Sequence, residues 1–241
     1  MRIAVDTHSH TLASGHAYNT MREMAQAASE RGLEALALTE HAPEMPGTCC
    51  LFYFENLKIV PREMYGVNLL LGTELNIMNP KGEVDLNDRV LKEMDIVIAS
   101  IHRPCFGFGY TKDEITSACV KAMQNPYINI LGHPDDGRFP VDFEVLVKTA
   151  KETGTLLEVN NSSLREDNTR ENARENLKIM LGLCKKYGVM ITTGSDSHMD
   201  IDVGGFDLAL EVLRENEFPE ELVATTSLEK IKPFLNRYKK L

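Results

Sequence analysis

Two histidines separated by one residue, His8 and His10, follow a short apolar run, Ile3-Ala4-Val5. In an extended strand, side chains i and i+2 project to the same side. Both imidazoles can therefore address one ion from a stiff piece of backbone. The other histidines are His16, His41, His102, His133 and His198, and nearly all seven lie at or just beyond the C-terminal end of an apolar strand-like run. Glu74, in Gly72-Thr73-Glu74, and Asp196, in Gly194-Ser195-Asp196-Ser197-His198, stand at comparable exits. A carboxylate there would be costly to desolvate without a cation. One such histidine alone is more often a satisfied structural group. Nine ligand-type groups at successive strand exits describe a metal centre.

The elements that must position these groups alternate along the chain. Strand-like runs cover residues 3–5, 35–38, 67–71, 96–99, 128–131, 156–159 and 189–193. Between them the spacing predicts helices over 20–31, from the capping box Thr111/Glu114 to before Pro126, and over 142–152, 169–187 and 206–215. Asn79-Pro80-Lys81-Gly82 reads as the turn of a small hairpin. Residues 42–65 form a long loop with a short helix inside 52–64, read as a cover for the site. A strand candidate at 223–225 and a terminal helical stretch complete the chain. Seven β-then-α units with polar exits predict a parallel α/β barrel. An open doubly wound sheet is the alternative, but it would send its exits two ways from a switch point. Without a low-complexity linker, residues 1–241 read as one domain.

The charge balance is 26 basic against 36 acidic residues, a formal net charge of −10. That field argues against a nucleic-acid partner, whose affinity comes mainly from Lys and Arg on phosphates. A small anion remains compatible once bound cations invert the local potential. No apolar stretch approaches the roughly 20 residues that span a bilayer, so no membrane partner is expected. The chain enters a strand-like run at once, without a signal-peptide pattern, and the expected location is cytoplasmic. Five scattered cysteines without a CxxC pair suit reduced thiols.

The ordered set Asp6-Thr7-His8-Ser9-His10, His16, Thr39-Glu40-His41, Gly72-Thr73-Glu74, Ser100-Ile101-His102, Gly132-His133-Pro134 and Gly194-Ser195-Asp196-Ser197-His198 resembles the polymerase and histidinol phosphatase (PHP) family of metallophosphoesterases, in its stand-alone bacterial form. The resemblance runs the whole length of the chain. It implies a distorted (β/α)7 TIM-like barrel with a trinuclear metal site at the C-terminal ends of the strands. One ion would lie on His8, His10, Glu74 and Asp196. A second would share Glu74 and take His102 and His133. A third would take His16, His41 and His198. Donors of this kind suit Zn²⁺ first, with Mn²⁺ or Fe²⁺ as alternatives. Asp6 is expected to orient an imbedded imidazole through its free N–H, or to serve a structural strand-end role.

Three or four protein groups per ion leave positions open for water and substrate. Two ions about 3.5–4 Å apart can hold a bridging hydroxide for in-line attack on phosphorus. Glu74 and Asp196, with that hydroxide, are the catalytic candidates. Arg103, next to a ligand, is the first candidate for a further phosphate contact, ahead of Arg138 and Arg165. The expected activity is metal-dependent hydrolysis of a small phosphate monoester. Alternatives are a histidinol phosphatase, a 3′-5′ exonuclease-type phosphodiesterase, an amidohydrolase-like enzyme and a non-catalytic metal-binding module. The resemblance is also compatible with a homo-oligomer.

Overall fold

The computed structural model describes residues 1–238; the expected span 1–241 includes residues 239–241, which lie outside the described residues. Seven parallel strands follow in chain order: β1 (Val5–Asp6), β2 (Ala35–His41), β3 (Val67–Asn76), β4 (Ile96–Ser100), β5 (Ile130–Leu131), β6 (Leu156–Asn160) and β7 (Ile191–Gly194). Consecutive order without a switch point belongs to a barrel, not to a doubly wound sheet. The strands are buried almost throughout, which is why most of them read as largely apolar runs.

Closure between β7 and β1 is uneven. At the C-terminal rim, Ser9 bridges Ser197 in parallel, His10 N–H donates to Ser197 O at 2.9 Å, and Asp196 N–H donates to His8 O at 2.8 Å. At the other end residues 223–225 bond to both strands. Val223 bridges Ile191, and Ala4 N–H donates to Thr225 O at 2.9 Å. The expected strand there is a single bridge, followed by a 3-10 turn over Ala224–Thr226. The barrel interior holds Val5, Leu70, Ile96, Ile98 and Ile130, and it is plugged from below by Ala224, Leu228, Ile231 and Leu235.

The outer helices are α1 (Met21–Glu30), α2 (Lys112–Met123), α3 (Phe143–Thr153), α4 (Ala173–Tyr187) and α5 (Asp207–Glu215). Both bonds of the Thr111/Glu114 capping box are formed. The hairpin also forms, with Ile77 bridging Val84 around the 79–82 turn. Helix α4 begins four residues later than its polar periodicity predicts. Asn172 has φ 54°, and Arg170 N–H is tied to Asn168 Oδ1 at 2.8 Å, so residues 169–172 remain loop. Strands β2 and β3 run further than their apolar runs, because the ladder continues through Thr39–Gly72, Glu40–Thr73 and His41–Glu74. Among the described residues no helix is long and apolar enough to cross a membrane.

Candidate metal centre

The rim gathers all seven histidines. Ring centroids lie 5.1 Å apart for His8–His10, 4.2 Å for His10–His41, 4.9 Å for His16–His41 and for His16–His198, and 5.3 Å for His102–His133. Glu74 sits among them, almost fully buried. Its Oε1 faces His102 Nε2 at 3.1 Å and His133 Nε2 at 3.0 Å. Its Oε2 faces His8 Nε2 at 3.3 Å, His10 Nε2 at 3.5 Å and His41 Nδ1 at 2.8 Å. One carboxylate thus offers a separate oxygen to two sets of imidazoles. Asp196 divides its oxygens differently. Oδ1 faces His10 Nε2 at 3.4 Å and His8 Nε2 at 3.7 Å, while Oδ2 accepts from Arg170 Nη2 at 3.0 Å and Asn160 Nδ2 at 3.2 Å.

His8 Nε2, His10 Nε2, His41 Nδ1 and Glu74 Oε2 are buried and have no hydrogen-bond partner among the described residues. Orphaned buried lone pairs are costly, and four that converge fit a cation. Three groups could each hold a metal ion: His10/His41/His198, His8/His10/Glu74 and His41/Glu74/His102. His41 therefore stands closer to Glu74 than the implied grouping on a third ion foresees. His16 lies beside His41 and His198 as implied.

The other ring nitrogens are held. His8 Nδ1 lies 2.8 Å from Glu158 Oε1, His102 Nδ1 lies 2.7 Å from Asn76 Oδ1, and His198 Nδ1 lies 3.0 Å from Asp196 O. Asn76 donates its amide N–H to Asp85 Oδ2 at 2.6 Å, which leaves Oδ1 as the acceptor for His102. A carboxylate or carbonyl on Nδ1 keeps the proton there and turns the Nε2 lone pair inward, as metal-binding histidines require.

Burial disfavours charge throughout, and the local field decides which groups resist it. Burial, then His41 and His198, pushes His10 well below the usual imidazole value, and the same causes bring His16 down to about 4. For His8 burial is outweighed by Glu158, Glu74 and Asp196, which hold it well above that value. Burial would raise Glu74, but His102, His8 and His41 bring it well below the carboxylate range. Asp196 is held down in the same way, against its burial, by His8, His10 and Arg170. The anionic field that favours a proton on His8 is the field that would draw divalent cations.

The backbone is shaped for this convergence. His133 (φ 27°) and Asp196 (φ 54°) are two of only five described non-glycine residues at positive φ. Such conformations cost on the order of 1–3 kcal/mol and cluster at functional sites. At Gly194 a Cβ would collide with Glu158 Oε1 and the His8 side chain, so only glycine lets that pair meet.

Some expected roles fall elsewhere. Asp6 does not orient an imidazole. Its Oδ1 accepts from the Ser195 N–H at 3.0 Å and its Oδ2 from the Gly204 N–H at 2.9 Å, so its role is the structural one of tying β1 to the chain after β7. Glu158 is the carboxylate that orients His8, and it also accepts from the His133 backbone N–H at 2.8 Å. Arg103 is exposed, with its guanidinium 4.2 Å from the Phe108 ring centroid rather than in the cluster. Arg138 pairs with Asp136, and Arg165 with Asp167 and Asp202. The arginine that reaches the cluster, through Asp196, is Arg170, hidden in sequence by the expectation of helix there. Glu158 carried a signal: a lone acid in the apolar run Leu156-Leu157-Glu158-Val159, two residues before Asn160 and so on the same face.

Fold and rim together define a parallel α/β barrel with an acidic, histidine-rich, metal-binding type of site at its C-terminal mouth. The PHP domain family model matches residues 6–192. A probable phosphatase of Caldanaerobacter subterraneus is 43% identical over 240 residues, spanning 100% of this chain and 94% of that protein. A probable phosphatase of Clostridium botulinum is 45% identical over 241 residues, spanning 100% and 98%. The chain belongs to the PHP domain family. In structure it is similar to the histidinol phosphate phosphatase of Lactococcus lactis, crystallised with zinc, L-histidinol and phosphate. The TM-score is 0.62 at 20% identity, over 94% of this chain and 98% of that one.

Proposed function

We propose that this chain, acting as a single barrel domain over residues 1–241, is a metal-dependent phosphatase. It hydrolyses a small-molecule phosphate monoester at a centre of three divalent ions, with Zn²⁺ the best fit to the donors and Mn²⁺ or Fe²⁺ as alternatives. The observation that carries the reading is Glu74, whose two oxygens address different sets of histidines, His102 and His133 on one and His8, His10 and His41 on the other, as a bridging carboxylate would. The relatives named probable phosphatases support the reaction class.

Bound divalent ions would supply activation of water and neutralisation of charge on the phosphoryl oxygens. His8, His10, His16, His41, His102, His133 and His198, with Glu74 and Asp196, would hold them. Glu158 and Asn76 keep protons on the outward ring nitrogens, so the inward ones stay free to ligate. Arg170 holds Asp196 Oδ2, which aims Oδ1 at His10 and His8. Arg103, exposed beside His102, can swing from Phe108 to a phosphate oxygen. The 42–65 segment covers the His41 side: Thr48 Oγ1 donates to His41 O at 2.6 Å.

The test is hydrolysis of p-nitrophenyl phosphate before chelation, after it, and after Zn²⁺ or Mn²⁺ is restored. Activity that disappears and returns supports the reading; no metal-dependent turnover under any of these conditions removes it. A panel of phosphorylated metabolites, histidinol phosphate among them, would then identify the substrate.

A further inference from the structure

Glu40 lies one residue before His41 on β2, and strand alternation turns it away from the side that carries His41. It is almost fully buried, yet it faces none of the convergent donors. Its carboxylate accepts from four groups instead. Oε2 takes the Thr11 N–H at 3.0 Å and the Ser14 hydroxyl at 2.6 Å, while Oε1 takes the Thr11 hydroxyl at 2.6 Å and the Tyr53 hydroxyl at 3.4 Å.

Ser14 has one proton, and Glu40 receives it. The two lone pairs of its oxygen must then accept. One faces His10 Nδ1 at 3.0 Å and the other the His41 backbone N–H at 3.1 Å. His10 must therefore carry its ring proton on Nδ1, which leaves Nε2 as a bare lone pair among Glu74 and Asp196. The turn Leu12–Ser14, capped by Thr11, puts Ser14 four residues after His10. Gly15 closes that turn at φ 79°, where a Cβ would strike Gly47 O.

We infer that Glu40 is a positioning residue: acting through the Ser14 hydroxyl, it fixes which nitrogen of His10 faces the metal centre and anchors the backbone of His41. The inference rests on reading the rim as a metal centre. Unlike Glu158 on His8, Glu40 works through an intermediary whose single proton makes the arrangement directional. With Glu40→Leu, the Ser14 hydroxyl loses its acceptor and is free to turn round. Ser14 then donates to His10 Nδ1, and the ring proton moves to Nε2, where it blocks ligation.

The test is ¹⁵N NMR of histidine-labelled, metal-free protein, with zinc affinity measured by competition against a chelator. Wild type is expected to show His10 protonated on Nδ1. Glu40→Leu and Ser14→Ala should each lose that state and bind one zinc 10–100-fold more weakly. Glu40→Asp, which keeps the charge, should recover part of the affinity. If Glu40→Leu does not fold, Ser14→Ala decides, since it removes only the relaying hydroxyl. Wild-type zinc affinity together with an unchanged His10 tautomer in Ser14→Ala would overturn the inference. Neither readout needs turnover, so an inactive wild type would count against the phosphatase reading and leave this result intact.

Discussion

The two ends of the barrel are built from the same strand faces and do opposite work. On β2, Ala35 and Ala37 line the apolar interior, and two further steps of strand alternation reach Thr39 and His41. On β3 the same face runs Leu70, Gly72, Glu74; on β6 it runs Leu156, Glu158, Asn160. The lower layer is sealed by Leu228, Ile231 and Leu235, and the upper layer leaves buried lone pairs facing one another. Stability concentrates where nothing reacts, and the unpaired groups concentrate where a ligand can compensate for them. One face thus changes from core to chemistry within about 13 Å of strand, four residues at roughly 3.3 Å each.

The largest effect that would break this division is expected at Glu74. Glu74→Gln should release two ions together and lower turnover by about 10³-fold, the scale of losing a principal electrostatic group. Metal analysis showing loss of only one ion would mean that Glu74 does not bridge. At the opposite end, Ile231→Ala should cost about 2–5 kcal/mol of folding stability, the range for a buried aliphatic truncation. Urea melts would show that loss while turnover per folded molecule and metal content stay unchanged. A metal deficit in Ile231→Ala would show that the two ends are coupled.

Glu158→Gln should weaken metal binding at His8 by roughly 10–100-fold, as removal of a ligand-orienting carboxylate does elsewhere. Chelator competition measures it. The smallest effect belongs to Asp135, whose two oxygens are buried without hydrogen-bond partners among the described residues. Burial, opposed by Arg170, pushes its carboxyl up to about 7. Its ionisation therefore costs the fold stability as pH rises from about 4 to 7, and the cost is complete above that. Asp135→Asn should raise Tm by a few degrees at pH 8 and leave it unchanged at pH 4. A gain at pH 4 equal to that at pH 8 would show that ionisation is not the cause.

What was legible in the sequence was local or periodic. The Thr111/Glu114 cap needs only residues three apart, and the 79–82 turn needs only its own residues. The strand exits declared themselves through histidine, the residue type least expected there in such number. The rest depended on contacts distant in sequence. Asp6 looked like an imidazole's partner, but its acceptors are used by backbone 189 and 198 residues away. Arg170 enters the centre only because α4 starts at Ala173. Closure of the barrel by residues 223–225 has no signature beyond three apolar or β-branched residues.

The central claim is that this rim takes up divalent ions and that they confer the activity. Metal content by mass spectrometry, followed through a titration of stripped protein with Zn²⁺ or Mn²⁺ alongside p-nitrophenyl phosphate turnover, tests it most directly. The prediction is a plateau at three ions per chain, with turnover rising as the ions bind. A rim that stays empty in excess zinc and manganese, or turnover indifferent to metal content, would contradict it.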